Sequence, residues 1–225
     1  MAAAPLRLIV FDCDGTLVDS QRGIIAKMTA AFDGLGLPRP DPAAITALIG
    51  LSLEDTFARL LPNIGRDEID GLIAGYRQQF AAQRQAAGQA TPDPLYPDAG
   101  QVLHELDGAG YLLGVATGKS RQGLDSVLGD HNLGDIFVTR QTGDGHPGKP
   151  HPAMLLQAMA ETGVEADDTM MIGDTTYDMA MAVNAGVRAV GVAWGYHAND
   201  DLRAAGAQVL VQDFRELAAY VREQL

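Results

Sequence analysis

A doubly wound parallel α/β sheet with an inserted all-helical subdomain is the fold class that this sequence of 225 residues predicts. Three observations predict it. From residue 95 onward, short apolar runs alternate with stretches of helical spacing, the pattern of a mainly parallel sheet covered on both faces. A separate block, residues 18–86, shows helical spacing with no strand inside it. The ends of the apolar runs carry acid, hydroxyl, amine and acid in order, which suits a sheet whose ligands bind beyond the carboxyl ends of its strands.

The first element is the apolar run that opens "LIVFDCDGTLVDS", Leu8 to Ser20, and it ends in Asp12 and Asp14. Four helical stretches follow: "RGIIAKMTAAFDGLGL", "DPAAITALIG", "LEDTFARLLPNIG" and "DEIDGLIAGYRQQFAAQRQAAG". The proline-rich "GQATPDPLYPDAG" (88–100) reads as a stiffened return to the sheet. Strands are predicted at "YLLGVAT" (111–117), "DIFVTR" (135–140), "TMMIGD" (169–174), "VRAVGVAW" (187–194) and "AQVLV" (207–211). Between them lie the helical stretches "AGQVLHELDGAG", "SRQGLDSVLGD", "PAMLLQAMAETG" and "TYDMAMAVNAG", several closing on a glycine suited to a left-handed cap, as Gly186 is. The α/β core is therefore assigned to 1–17 and 87–225, and the helical insertion to 18–86.

Composition limits the function. Hydrophobic residues make up 47% of the chain and charged residues 20%, an ordinary globular balance. The net charge of -13, with no run of Lys and Arg, disfavours nucleic acid and anionic membranes as partners. A single cysteine, Cys13, rules out an intrachain disulfide and fits a reducing compartment. Lying between two aspartates on an alternating strand, it reads as core packing. No stretch reaches bilayer length, and the N-terminal apolar run is short and interrupted by Arg7 and Asp12, so a cytoplasmic location is expected.

The strand ends carry the chemistry. Asp12 and Asp14 follow the first strand, Thr117, Gly118 and Lys119 the second; Lys149 lies in "GKPHP", and Asp174 and Asp178 in "GDTTYD". Carboxylates converging at the mouth of a core repel one another and resist ionisation unless a hard cation offsets the charge. Mg²⁺ suits such a site, since it takes a few carboxylate oxygens and keeps waters and a substrate phosphate. Lys149, Thr117 and backbone N–H groups of "DCDGT" would meet the phosphate oxygens. One carboxylate can then act as nucleophile, and a second can give a proton to the leaving oxygen. Taken singly, these residues also read as helix caps or surface groups. Their joint occurrence in order is what that reading does not explain.

In these motifs the chain resembles the haloacid dehalogenase superfamily over essentially its whole length. The matching residues are "DCDGT" at 12–16, Thr117 in "VATGKS", Lys149 in "GKPHP" and "GDTTYD" at 173–178. The insertion is similar to the helical cap of the subgroup holding phosphoglycolate phosphatases and β-phosphoglucomutases. The resemblance implies that Asp12 attacks phosphorus to form an aspartyl-phosphate and that Asp14 serves as acid and then base. It implies that Thr117 and Lys149 hold the phosphoryl group. It also implies Mg²⁺ on the Asp12 side chain, the Asp14 carbonyl and Asp174, with Asp178 acting through water or by fixing Lys149. Gly118 departs from the family's usual Asn, and a backbone N–H would serve there.

Asp14 favours a phosphatase or a phosphomutase over dehalogenating, phosphonate-cleaving and ATP-driven transport relatives. A mutase needs a cationic clamp in the cap, for which Arg22 and Lys27 are candidates, although solvation is the plainer reading of both. The loop "IGLSLED" (49–55) is the expected specificity element. Gly50 would allow a close approach, while Leu51 and Ser52 would face the leaving group, which fits a compact phosphate ester better than a sugar diphosphate. Phosphoglycolate is the first substrate to expect. Small sugar phosphates, nucleoside monophosphates and pyrophosphate follow it as alternatives. A catalytically silent binding protein is the contrasting class, and a monomer or homodimer fits equally. His197 reads as a hydrogen-bonded loop residue and Trp194 as packing; His104, His131, His146 and His151 show no metal-ligand spacing. Met170, Met171, Met179 and Met181 read as core filler.

Overall fold

β1 (Leu8–Phe11) lies at the centre of a six-stranded parallel sheet, with β2 (Leu112–Thr117) on one side and β4 (Thr169–Gly173) on the other. This computed structural model describes residues 6–85 and 92–225. β3 (Phe137–Thr142) lies beyond β2, and β5 (Arg188–Val192) and β6 (Val209–Val211) lie beyond β4, giving the order β3-β2-β1-β4-β5-β6. Strand alternation explains the uninterrupted apolar run of β1. Ile9 and Phe11 enter one hydrophobic cluster and Leu8 and Val10 another, on opposite faces of the sheet.

The first cluster is closed by helices α5 (Ala99–Gly108), α6 (Arg121–Asp130) and α10 (Phe214–Gln224). The second is closed by α7 (Ala153–Thr162), α8 (Thr176–Ala185) and α9 (Asn199–Ala204). Met170 belongs to the first cluster and Met171, Met179 and Met181 to the second, all buried as core filler. Buried Cys13 packs in the first cluster, where burial pushes its thiol well above the usual range. Trp194 packs on Phe214, with ring centroids 4.8 Å apart, and its indole N–H donates to the Thr16 carbonyl at 3.1 Å.

The insertion forms a second body with its own core. Helices α1 (Gln21–Gly34), α2 (Pro42–Thr46), α3 (Leu53–Leu60) and α4 (Arg66–Gln85) enclose Ile24, Met28, Phe32, Ile45, Phe57 and Leu72. The two connections to the sheet lie side by side. Asp19 N–H donates to the Pro94 carbonyl at 2.9 Å, and Tyr96 N–H to the Leu17 carbonyl at 3.0 Å. The 86/87 boundary and the first residues of the proline-rich return lie outside the described residues.

Three local readings change. The third strand begins two residues later than "DIFVTR" suggests, and its pairing with β2 shifts register at Leu113/Gly114. Gly114 permits that fit, since a Cβ there would fall 2.7 Å from Thr139 Cγ2. The helix read over 41–50 stops at Thr46, and the chain then turns through Gly50 at φ +102°, a conformation open to glycine. Finally, α9 and α10 are elements that the alternation of runs does not mark. Among the described residues no helix is long and apolar enough to cross a membrane.

Candidate active site

The topology places the site before any side chain is considered. Chain order runs outward from β1 through β2 and β3 on one side and resumes at β4 on the other, so a crevice opens between the carboxyl ends of β1 and β4. Asp12 and Asp174 are the residues that follow those two strands, and both are fully buried.

The two oxygens of Asp12 differ. Oδ1 accepts from Cys13 N–H at 2.7 Å and from Lys149 Nζ at 3.0 Å. Oδ2 is buried with no hydrogen-bond partner. Burial pushes the Asp12 carboxyl up to about 7, against the pull of Lys149 and with further upward pressure from Asp178 and Asp14. Lys149 bridges Asp12 and Asp178, lying 2.6 Å from Asp178 Oδ1. Burial alone would depress its ammonium, but the two carboxylates hold it above the ordinary lysine range.

Asp178 is fixed by the start of α8. Its Oδ2 accepts from Thr175 N–H at 3.1 Å and Thr175 Oγ at 2.7 Å, while Asp178 N–H returns to Thr175 Oγ, forming a capping box. Asp174 accepts from Thr16 Oγ1 at 2.8 Å and from Tyr196 N–H at 2.9 Å. Burial raises its carboxyl well above the usual range, with Asp178 and Asp12 adding to the effect. One oxygen from each of Asp12, Asp174 and Asp178 lies within 4.8 Å of the others. Three buried carboxylates with one unsatisfied oxygen are a donor set that fits a hard divalent cation.

Asp14 stands apart from that cluster. Its Oδ1 accepts from Ser20 Oγ and from Lys119 Nζ, the latter at 2.9 Å. Any part of Asp14 in holding a metal therefore falls to its main chain. Burial would depress the Lys119 ammonium, but Asp14 keeps it above the ordinary range. Thr117 ends β2 and is buried, with Oγ1 accepting from Lys119 N–H at 3.3 Å.

Gly118 has a steric reason to be glycine. A Cβ there would fall 2.3 Å from the Leu51 carbonyl oxygen and 2.6 Å from that of Gly50, so the loop of the insertion sits directly on it. A Cβ on Gly50 would in turn lie 3.2 Å from Thr175. Leu51 lines the cleft between the two bodies. Ser52 Oγ caps α3, accepting from Asp55 N–H at 3.1 Å and donating to Asp55 Oδ2 at 2.7 Å, a structural role that its sequence position near the site did not suggest.

That cleft has a volume of about 740 Å³, and Asp14, Lys119 and Gly118 form part of its floor. Its size exceeds what the short neutral loop suggests. Arg22 is exposed, but Lys27 is buried and lines the cleft, so solvation describes only the first of the pair. Lys27 Nζ lies 6.0 Å from the centroid of the Tyr76 ring. Sequence reasoning gave Lys119 no role and passed over Tyr76 and Asp93. A lysine two residues beyond a strand-end threonine was the one available signal. His197 lies nearby, with Nδ1 accepting from Thr176 N–H at 3.2 Å.

The Haloacid dehalogenase-like hydrolase family model matches residues 9–192. A relative from Dickeya dadantii named "Probable phosphatase IndB" is 41% identical over 93% of this chain and 91% of its own length. A Vibrio parahaemolyticus protein named "Phosphoglycolate phosphatase" is 28% identical over 98% of each chain. A crystal structure of a hydrolase from Pseudomonas syringae superposes with a TM-score of 0.85 at 26% identity, covering 97% of this chain and 99% of its own. Fold, strand-end residues and family match agree, and the chain belongs to the haloacid dehalogenase-like hydrolases.

Proposed function

We propose that this enzyme is a Mg²⁺-dependent phosphatase that hydrolyses the phosphate monoester of a small metabolite through an aspartyl-phosphate. The observation that carries the reading is Asp12 Oδ2, a buried carboxylate oxygen left without a partner while Lys149 holds its sibling. Names of the similar proteins support the same reaction class.

Asp12 attacks phosphorus through one carboxylate oxygen, and the bond from phosphorus to the leaving oxygen breaks as the new one forms. Lys149 and Thr117 bind the phosphoryl oxygens. Asp14 acts as the general acid that gives a proton to the leaving alcohol, and then as the base that takes one from water. The hydroxyl adds to phosphorus and frees Asp12 together with inorganic phosphate. Asp12, Asp174 and the Asp14 main chain would hold Mg²⁺, with Asp178 acting through water or by fixing Lys149, and the ion would supply the positive charge that lets two anions meet.

The test is phosphate release from phosphoglycolate, sugar phosphates, nucleoside monophosphates and pyrophosphate, with Mg²⁺ and then with chelator. Phosphoglycolate heads the panel because the Vibrio relative carries its name. Release that chelator abolishes, and that Asp12→Asn lowers about a thousandfold or more, is the expected result. No release from any ester would refute the reading in favour of a silent binding protein. Isomerisation of β-glucose 1-phosphate without net release would mark a mutase instead.

A further inference from the structure

The cleft beside Asp14 is larger than this reaction requires. Its volume of about 740 Å³ falls within the range of about 300–1,000 Å³ that takes drug-sized ligands. A two-carbon alcohol would leave most of that space to solvent. Its lining mixes apolar side chains such as Ile24, Met28, Ile45 and Phe80 with the polar Lys27, Lys119, Asp93 and Tyr76.

Lys27 is the informative residue among the polar ones. It is 7% exposed, and among the described residues its Nζ has no hydrogen-bond acceptor or ion-pair partner. The Tyr76 ring face and the nearby charges of Asp93 and Asp14 partly offset its burial, while Lys119 adds to the cost. Its ammonium therefore opens onto the cleft with donors that no protein acceptor takes, and an oxygen of a ligand lying there would accept from it in a setting drier than bulk water.

We propose that the alcohol part of the substrate carries a ring-sized, largely apolar or planar body that fills the cleft and a carbonyl or carboxylate oxygen that accepts from Lys27. The inference rests on the phosphatase reading and deepens it by replacing a glycolate-sized leaving group with a larger one. Phosphoglycolate supplies the oxygen but not the body. Ribose 5-phosphate supplies a ring without the apolar face or the acceptor. Uridine 5′-monophosphate supplies both, and it is the probe of choice.

The experiment compares kcat/KM for these three esters with Mg²⁺ in the full chain, its Lys27→Met variant and its Ser126→Phe variant. Ser126 lines the cleft from α6, and a phenyl ring there narrows it without altering either hydrophobic core. Wild-type enzyme is expected to favour uridine 5′-monophosphate over both other esters by about tenfold or more. Lys27→Met should raise KM for it about tenfold, in line with loss of a charged hydrogen bond, with a smaller change in kcat. Ser126→Phe should cut its lead over phosphoglycolate by a similar factor. Melting curves establish that each variant folds, and if Lys27→Met does not, Ser126→Phe carries the test. A lead for phosphoglycolate or ribose 5-phosphate, or a lead untouched by the folded variants, overturns this inference and leaves the phosphatase standing. Hydrolysis of none of the esters overturns the phosphatase reading itself.

Discussion

Asp12 and Asp174 are carboxyls that folding moves into a poor solvent for charge. Both have their pKa raised, Asp12 to about 7, chiefly by burial. The native chain therefore holds protons that the unfolded chain releases above about 3.8, the ordinary value for Asp12. The stability that Asp12 allows is complete below that value and is lost as pH rises through about 7, and Asp174 acts in the same direction. A cation bound by the same oxygens competes with those protons, so its effect on stability should grow with pH. Added Mg²⁺ is expected to raise Tm more at pH 8 than at pH 5.5, each kcal/mol of difference reading as about 2–4 °C in a chain of this size. Scanning calorimetry with and without chelator decides it, and an equal shift at both values would exclude these carboxyls as the metal site. At this scale the sequence was legible wherever a residue ends a strand, as Asp12, Thr117 and Asp174 do. Lys27 and Lys119 were not legible, because their burial comes from two bodies meeting and leaves no mark on local spacing.

Elements show the same division. Each central strand could be read from its apolar run, since burial on both faces demands one. α10 could not be placed by strand alternation, although its spacing of Phe214, Leu217, Ala218 and Val221 marks a buried helical face. Ser52 illustrates how one hydroxyl admits two readings: it lies in a loop near the site, and it also caps the helix that follows. Ser52→Ala should cost about 1 kcal/mol in urea unfolding, the usual value of a lost N-cap, and change phosphate release by less than about twofold. A large fall in kcat with unchanged stability would return Ser52 to the substrate. Thr175 shows the opposite case, where a cap and a site coincide, since the capping box at α8 also aims Asp178 at Lys149.

On the scale of the molecule, the contact that assembles the site is the seat of Gly50 and Leu51 on Gly118. The core and the insertion each bury their own apolar cluster, so neither depends on this contact to fold. Gly118→Ala should therefore melt close to wild type while forcing the insertion away from the core. Since small displacements of a reacting group carry large kinetic costs, kcat/KM should fall about tenfold or more. Small-angle scattering should show a larger radius of gyration, and unchanged kinetics would mean that the loop yields without disturbing the cleft. The family's usual asparagine at this position could not be accommodated in this arrangement. That is a whole-molecule reason for a departure that the sequence showed only as an isolated glycine.

The paired connectors at Leu17–Asp19 and Pro94–Tyr96 bring the two ends of the insertion together at one place. No strand of the sheet is threaded through the insertion, and the sheet's pairing register is independent of what lies between those ends. The helical body is thus a cassette with a fixed socket. Its length, helix count and cleft chemistry are free to drift so long as its ends return to adjacent backbone partners. One hydrolytic core can in this way be refitted to new alcohols by exchanging a contiguous piece of chain, while the residues that handle phosphorus stay as they are.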